Sequence, residues 1–196
     1  MAKRIGVAAS GSAEVTQTAV DILEAGGNAF DAVLGALCTA SIAEPLLASL
    51  GGGGFLLALP DGQKPRVYDF FCQTPQKHRP EDEIDFFPII ANFGTAEQEF
   101  QIGLGSSAVP GVVAGIFEAH GDLGRMPIAE IMSPAAELAR SGVEVDYFHA
   151  YIARILETIM RATPESFALY ESPSNPGELI TQGELHRNPE AAAAFE

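Results

Sequence analysis

Tryptophan is absent from this 196-residue chain, lysine occurs three times and cysteine twice. The shortage of lysine leaves 11 basic residues against 26 acidic ones, a net charge of −15. Binding phosphates requires a basic surface, so the expectation is no nucleic-acid partner and no membrane partner. Two cysteines, Cys38 and Cys72, define no disulfide framework and form no C-x-x-C. Cys38 sits in an apolar helical pattern and reads as a core residue. His78, His120, His149 and His186 are far apart in the sequence, with no H-E-x-x-H among them. The expectation is therefore no metal and no cofactor. No apolar run approaches the ~18 residues of a membrane span. MAKRIGVAAS has no apolar stretch long enough for a signal peptide, which points to the cytoplasm.

What is present suits a globular fold. Hydrophobic residues make up 47% of the chain, enough for a sizeable core and for one domain over residues 1–196, or one piece of a larger one. Residues 4–9 read as a short strand. Ser10 or Ser12 then caps a helix to about Ala25, with Val15, Ala19, Ile22 and Leu23 on one face. Gly26-Gly27 ends it. Asn28 caps a second helix and Asp31 offers a carboxylate in return. The face Ala29, Ala32, Val33, Ala36, Leu37 and Ala40 is built of small residues, which predicts a central helix ending near Pro45. Residues 55–59 and 66–71 read as a hairpin around Pro60-Asp61-Gly62. Residues 73–100 read as an irregular excursion, with short strands near 87–91 and 99–103. Helices are expected over 112–120, over 127–140 with Ser133-Pro134 starting one, and over 146–162. A loop over 163–178 precedes a last helix from Asn188-Pro189. That helix buries little before the chain stops, so the chain reads as a fragment of a longer polypeptide.

The sharpest local feature is LLASLGGGGFLLALPDG, residues 46–62, in which Gly51, Gly52, Gly53 and Gly54 run into an apolar strand. Glycine loses more conformational freedom on folding than any other residue, so four in a row need a reason. No Lys-Ser/Thr follows, which excludes a Walker loop. A strand follows rather than a helix, which removes the helix N-terminus that would hold phosphate. Two readings remain: tight entry into a buried strand, or close approach to a substrate or another chain segment. GLGSSA, residues 103–108, matches G-x-G-x-x-A, but Pro110-Gly111 interrupts the helix a dinucleotide site requires. Ser106 and Ser107 have no local partner base, and no G-x-S-x-G elbow exists. The carboxylates of PEDEID lie in a loop and read as solvated surface.

Three stretches carry a resemblance: IGVAASGSAEVTQTAVDILEAGGNAFDAVLGALCTASIAEP, then GGGGFLL, then GSSAVPGVVAGIFEAHGDLGRMPIAEIMSPAAELARSGVEV. In this order they resemble the N-terminal part of the large subunit of the gamma-glutamyltranspeptidase family. The resemblance implies an α/β (α+β) fold, part of the four-layer αββα sandwich of an N-terminal nucleophile hydrolase, incomplete in this chain. It implies an amidohydrolase or acyltransferase made as a self-cleaving precursor. The nucleophile would be a threonine at the new N-terminus of the small subunit, with its own α-amino group as base. No catalytic residue is then expected within this chain. The implied partners are the remainder of the large subunit, the small subunit and a small-molecule amide or γ-glutamyl-like substrate. The four glycines would be architectural, passing against the helix over 28–43 and bordering the site.

Two departures bear on specificity. The family's arginine on the returning strand, which grips the donor α-carboxylate, is Phe71 here, followed by Cys72. A phenyl ring cannot pair with a carboxylate. Arg66 or Arg79 is the nearby candidate to replace it. The polar segment that the family carries before the glycines is Pro45-Leu46-Leu47-Ala48-Ser49. Both changes imply a more hydrophobic pocket wall and a neutral or apolar donor. Phe71, Cys72 and Ser49 are the candidate substrate-binding residues. The alternative is a catalytically silent homologue acting as a binding or scaffold protein.

Overall fold

The computed structural model describes residues 6–196. In chain order the helices are α1 (Ala13–Glu24), α2 (Ala29–Ala43), α3 (Val112–Leu123), α4 (Ile128–Ser141), α5 (Tyr147–Ile155), α6 (Glu157–Met160), α7 (Pro164–Tyr170) and α8 (Pro189–Ala194). The main strands are β1 (Phe55–Ala58), β2 (Arg66–Asp69), β3 (Phe87–Asn92) and β4 (Glu97–Ile102). The chain divides into two compact units. The first joins the segment ending at Cys72 to Pro110–Val143 and Arg187–Glu196; the second joins Gln73–Val109 to Glu144–His186.

In the first unit the two N-terminal helices start where their caps dictate. Ser12 Oγ accepts from the Val15 amide at 3.2 Å. Asn28 Oδ1 accepts from the amides of Phe30 and Asp31, and Asp31 Oδ2 accepts from the Asn28 amide at 2.8 Å, a complete capping box. The other Asp31 oxygen accepts from the Arg125 amide at 2.9 Å, so this fully buried carboxylate also ties α2 to the α3–α4 connection. Residues 6–9 form no strand. Residues 4 and 5 of that expected strand lie outside the described residues.

Helix α2 is central, packed against α1, α3 and α4. Its buried residues are Asp31, Ala32, Leu34, Gly35, Cys38, Thr39, Ile42 and Ala43, so of the expected small-residue stripe only Ala32 is buried, and Val33 is exposed. The reason is that α1 and α4 grip α2 from two sides. Thr39 donates to Thr18 of α1 at 3.0 Å, and a Cβ on Gly35 would reach 3.1 Å from the Ile131 carbonyl of α4. Burial pushes the Cys38 thiol up to about 12, which leaves it an unreactive core residue.

Helix α4 runs through Pro134 without restarting at Ser133. A proline inside a helix removes one amide bond. Here Ile131, Ala135, Ala136 and Ala139 are all buried, and that packing holds the helix across the break. The final helix is no loose end: Ala192 and Phe195 are buried in the same core. β1 and β2 pair antiparallel, Phe55 opposite Asp69 and Leu57 opposite Val67. Ala58 and Tyr68 turn into the helical core.

In the second unit β3 and β4 form a six-pair antiparallel hairpin, more ordered than the expected excursion. The run expected as one helix over 146–162 is divided at Leu156 (φ −94°, ψ 16°) into α5 and α6. The expected loop over 163–178 contains α7, capped by Thr163 Oγ1 accepting from the Ser166 amide at 3.1 Å.

Candidate functional site

None of Gly51, Gly52, Gly53 and Gly54 has a positive φ, so space rather than backbone conformation explains them. A Cβ on Gly53 would run into the backbone nitrogen of Cys72 and stand 2.9 Å from its Sγ. A Cβ on Gly54 would stand 3.1 Å from the Phe70 ring. Gly54 and Phe70 exchange backbone hydrogen bonds of 3.3 and 3.1 Å, continuing the hairpin ladder. The Gly52 carbonyl accepts from the amides of Gly111 and Val112 at 3.0 and 3.3 Å, which anchors the start of α3. Side chains on Gly111 or Gly115 would collide with Phe70. The glycines thus admit Phe70–Cys72 and the entry to α3. The neighbour expected for them, α2, is not what their missing side chains make room for. Gly51 is different: nothing nearer than Ser49 Oγ, at 3.7 Å, would meet its Cβ.

The outward face of the hairpin is apolar and exposed. Phe55, Leu57, Leu59, Val67 and Phe71 are 63%, 71%, 68%, 65% and 54% exposed. The Phe55 and Phe71 rings stack at 5.5 Å with 15° between planes. Asp69 shares this face and its Oδ1 accepts from the Phe71 amide at 3.1 Å. That hydrogen bond occupies the backbone donor nearest the Phe71 ring. Arg66 does not supply the missing cation. It lies on the opposite face, 3.4 Å from Asp122 and 2.8 Å from Gln63 Oε1, beside Tyr68, whose hydroxyl donates to Asp122 at 2.9 Å. Arg79 belongs to the second unit.

Next to the glycines lies a hollow of about 310 Å³, lined by Leu37, Leu46, Leu47, Ser49, Gly53 and Val112 among others. The turn after α2 presents the leucines, because the amides of Leu47 and Ala48 bond back to the Glu44 carbonyl. Ser49, Gly52 and Gly53 therefore share one hollow, and Phe71 and Cys72 abut Gly53. Ser106 and Ser107 are elsewhere, in the second unit, where GLGSSA forms a 3₁₀ turn and Ser106 Oγ bonds to the Gly103 carbonyl at 2.7 Å. Gly103 there has φ +95°, and the Gly105 amide donates to the Asp85 carbonyl at 2.7 Å.

Sequence reasoning missed Phe55 as a partner of Phe71. The signal was the parity of the hairpin: Phe55 opposes Asp69, so Phe71 lies diagonally beside it on the same face. It also missed a second-unit hollow of about 520 Å³ whose lining includes Tyr147, Tyr151, Arg154 and Thr181. Among the described residues no group of three or more His, Cys, Asp or Glu side chains is placed to hold a metal ion. Three histidines are engaged locally: His120 Nε2 with the Met126 carbonyl, His149 Nδ1 with Asp146, and His186 stacked on Tyr170.

Comparison with known proteins fits this geometry. Residues 15–196 match the family model described as Gamma-glutamyltranspeptidase. Glutathione hydrolase 3 of Arabidopsis thaliana is 27% identical over 97% of this chain and 28% of its own length. Acylase ACY 1 proenzyme of Pseudomonas sp. strain SE83 is 35% identical over 63% of this chain and 22% of its own. The chain thus spans less than a third of these relatives. The gamma-glutamyltranspeptidase of Helicobacter pylori superposes on all of it with a TM-score of 0.82, at 22% identity and over 54% of the solved chain. That likeness concerns the fold: mixed helix and sheet, covering about half of the solved chain.

Proposed function

The chain belongs to the gamma-glutamyltranspeptidase family, and we propose that it is the N-terminal part of the large subunit of an amide hydrolase or acyltransferase. The whole protein is made as a precursor that cuts itself in two. The nucleophile is the threonine at the new N-terminus, in a segment outside these 196 residues. Its hydroxyl oxygen bonds to the donor carbonyl as its proton passes to its own α-amino group. The amide C–N bond breaks, the amine leaves with that proton, and water or a second amine then takes the acyl group. The proenzyme names of relatives support a self-cleaving precursor.

The part this chain plays is to shape the donor site through Phe71, Cys72, Ser49 and the glycine segment. One observation supports the reading of specificity: Phe71, which the resemblance puts at the family's arginine position, is stacked on Phe55, and Asp69 is the only ionisable group among the described hairpin residues of that outward face. Among the described hairpin residues of that face, a free α-carboxylate meets a carboxylate and no guanidinium. The leucines at 46 and 47 make the adjoining wall apolar. The favoured donor is a neutral or apolar acyl amide rather than a γ-glutamyl compound. The likeness to an acylase of the same family is in keeping with this.

The test is kcat/KM of the full-length enzyme on a γ-glutamyl anilide and a neutral acyl anilide. Wild type favours the neutral donor. Phe71→Arg raises γ-glutamyl turnover about tenfold or more, the scale of one charge-assisted bidentate contact. Robust wild-type turnover of the γ-glutamyl anilide, unchanged in Phe71→Arg, contradicts the proposal.

A further inference from the structure

We infer that the hollow of about 520 Å³ in the second unit binds a small aryl carboxylate, whatever donor the enzyme takes. Its volume falls in the range of small-molecule clefts. One wall is α5. Tyr147, Ala150, Tyr151 and Arg154 line it at i, i+3, i+4 and i+7, the spacing that puts side chains on one helix face. The facing wall is the strap 175–182, whose buried Leu179 and Ile180 supply apolar surface. That strap is tied down by its own hydrogen bonds. The Ile180 amide donates to the Tyr170 carbonyl at 2.7 Å and the Ser172 amide to the Glu178 carbonyl at 2.8 Å. The Thr181 amide donates to Glu184 at 2.7 Å, and Arg161 Nη2 to the Gly177 carbonyl at 3.0 Å. On α5 the Tyr151 hydroxyl donates to the Phe93 carbonyl at 3.3 Å. Walls already ordered lose little freedom on binding.

Charge sets the sign of the ligand. Arg154, Glu157 and Glu178 are the charged side chains of the lining. Both carboxylates already have a cation: Arg161 Nε lies 2.7 Å from Glu157, and its Nη2 3.8 Å from Glu178. The Arg154 guanidinium has no hydrogen-bond or ion-pair partner among the described residues, and the side-chain amides of Asn175 and Gln182 have none either. The charge of −15 on the chain disfavours anions at long range, but salt screens it beyond about 8 Å, so the charge at the hollow decides. A carboxylate there accepts from the guanidinium fork, and the amide donors can serve its remaining lone pairs. A neutral amide of the same shape lacks the charge. The ring is set by Tyr147 and Tyr151, one turn apart, with centroids 6.2 Å apart and 11° between planes. Tyr147 is 68% exposed, so its ring face is open to a ligand among the described residues. Offset stacking favours an aryl over an alkyl group by about two- to tenfold.

The experiment is calorimetry on the full-length enzyme with phenylacetate, phenylacetamide and hexanoate, repeated on Arg154→Gln, Arg154→Lys and Tyr147→Leu. Both positions are exposed, so the variants should keep the fold. Phenylacetate is expected to bind best of the three. Arg154→Gln weakens it about three- to tenfold and leaves phenylacetamide unchanged. Arg154→Lys, which keeps the charge without the fork, falls between. Tyr147→Leu brings phenylacetate down to the level of hexanoate. No binding of phenylacetate at millimolar concentration overturns the inference, as does equal affinity for the acid and either comparison ligand. Wild-type affinity for phenylacetate in Arg154→Gln, or an aryl preference that survives Tyr147→Leu, overturns it as well. Binding is read without turnover, so an enzyme inactive on every anilide would refute the donor reading and leave this test to be decided by the Arg154 and Tyr147 variants.

Discussion

At Gly53 the difference between a structural and a decorative glycine is a single carbon atom. A Cβ there meets the backbone of Cys72, which cannot swing aside, whereas a Cβ at Gly51 meets nothing closer than ordinary contact. Gly53→Ala therefore costs about 1–3 kcal/mol of stability by forcing the two strands apart, and Gly51→Ala is close to neutral. Urea midpoints of the two variants measure this; equal midpoints contradict the close-approach account. The run of four glycines was legible in the sequence as a demand for space, but its neighbour was not. Which backbone passes there depends on hairpin register and on the Gly52 carbonyl that receives the first amides of α3. Asp31 shows the same divide. Its capping role follows from the spacing to Asn28, while its bond to the Arg125 amide joins residues far apart in the chain.

Elements that were readable carried their own punctuation. Ser12, Asn28, Pro45 and Asn188 each mark a boundary that the structure keeps. Those misread depended on packing: α4 crosses Pro134 because its alanine face is buried, and α8 ends in the core through Phe195. The segment after α7 is held by another device. The Glu184 carboxylate accepts from Ser172 Oγ at 2.6 Å, from the Thr181 amide at 2.7 Å, and more weakly from Ser174 and Thr181 Oγ1. Hydrogen bonds to the charged form, first that from Ser172, hold its pKa at about 2, below the ordinary 4.5. A depressed folded pKa stabilises above the unfolded value and fades below it. The stability Glu184 gives this segment is thus complete above about pH 4.5 and lost as the pH falls toward about 2. Hydrogen exchange of the Thr181 and Ser174 amides should accelerate across that window beyond the intrinsic pH trend. Glu184→Gln should abolish the excess, and an identical pH response in both proteins would sink the idea.

At the scale of the molecule, the hairpin face of Phe55, Leu57, Leu59, Val67 and Phe71 is an extended exposed apolar surface among the described residues. Contiguous apolar surface of this kind marks an interaction site. The relatives are three to five times longer than the match, so there is polypeptide in this family to cover it. We expect the 196-residue chain expressed alone to self-associate, and Leu57→Lys with Val67→Lys to shift it toward monomer in analytical ultracentrifugation. A monodisperse wild-type chain would show that the face needs no cover. The expected sandwich was legible here only through resemblance. Within the described first unit one helical layer and one two-stranded hairpin are complete, and the outward side of that hairpin is open.

The most direct test of the whole account is the intact mass, on a denaturing gel and by mass spectrometry, of the product of the complete reading frame. The account predicts two chains, the smaller beginning with threonine and the larger carrying residues 1–196. A single uncut chain in fully folded protein would contradict it and turn Phe71 into a trace of lost chemistry rather than a new specificity.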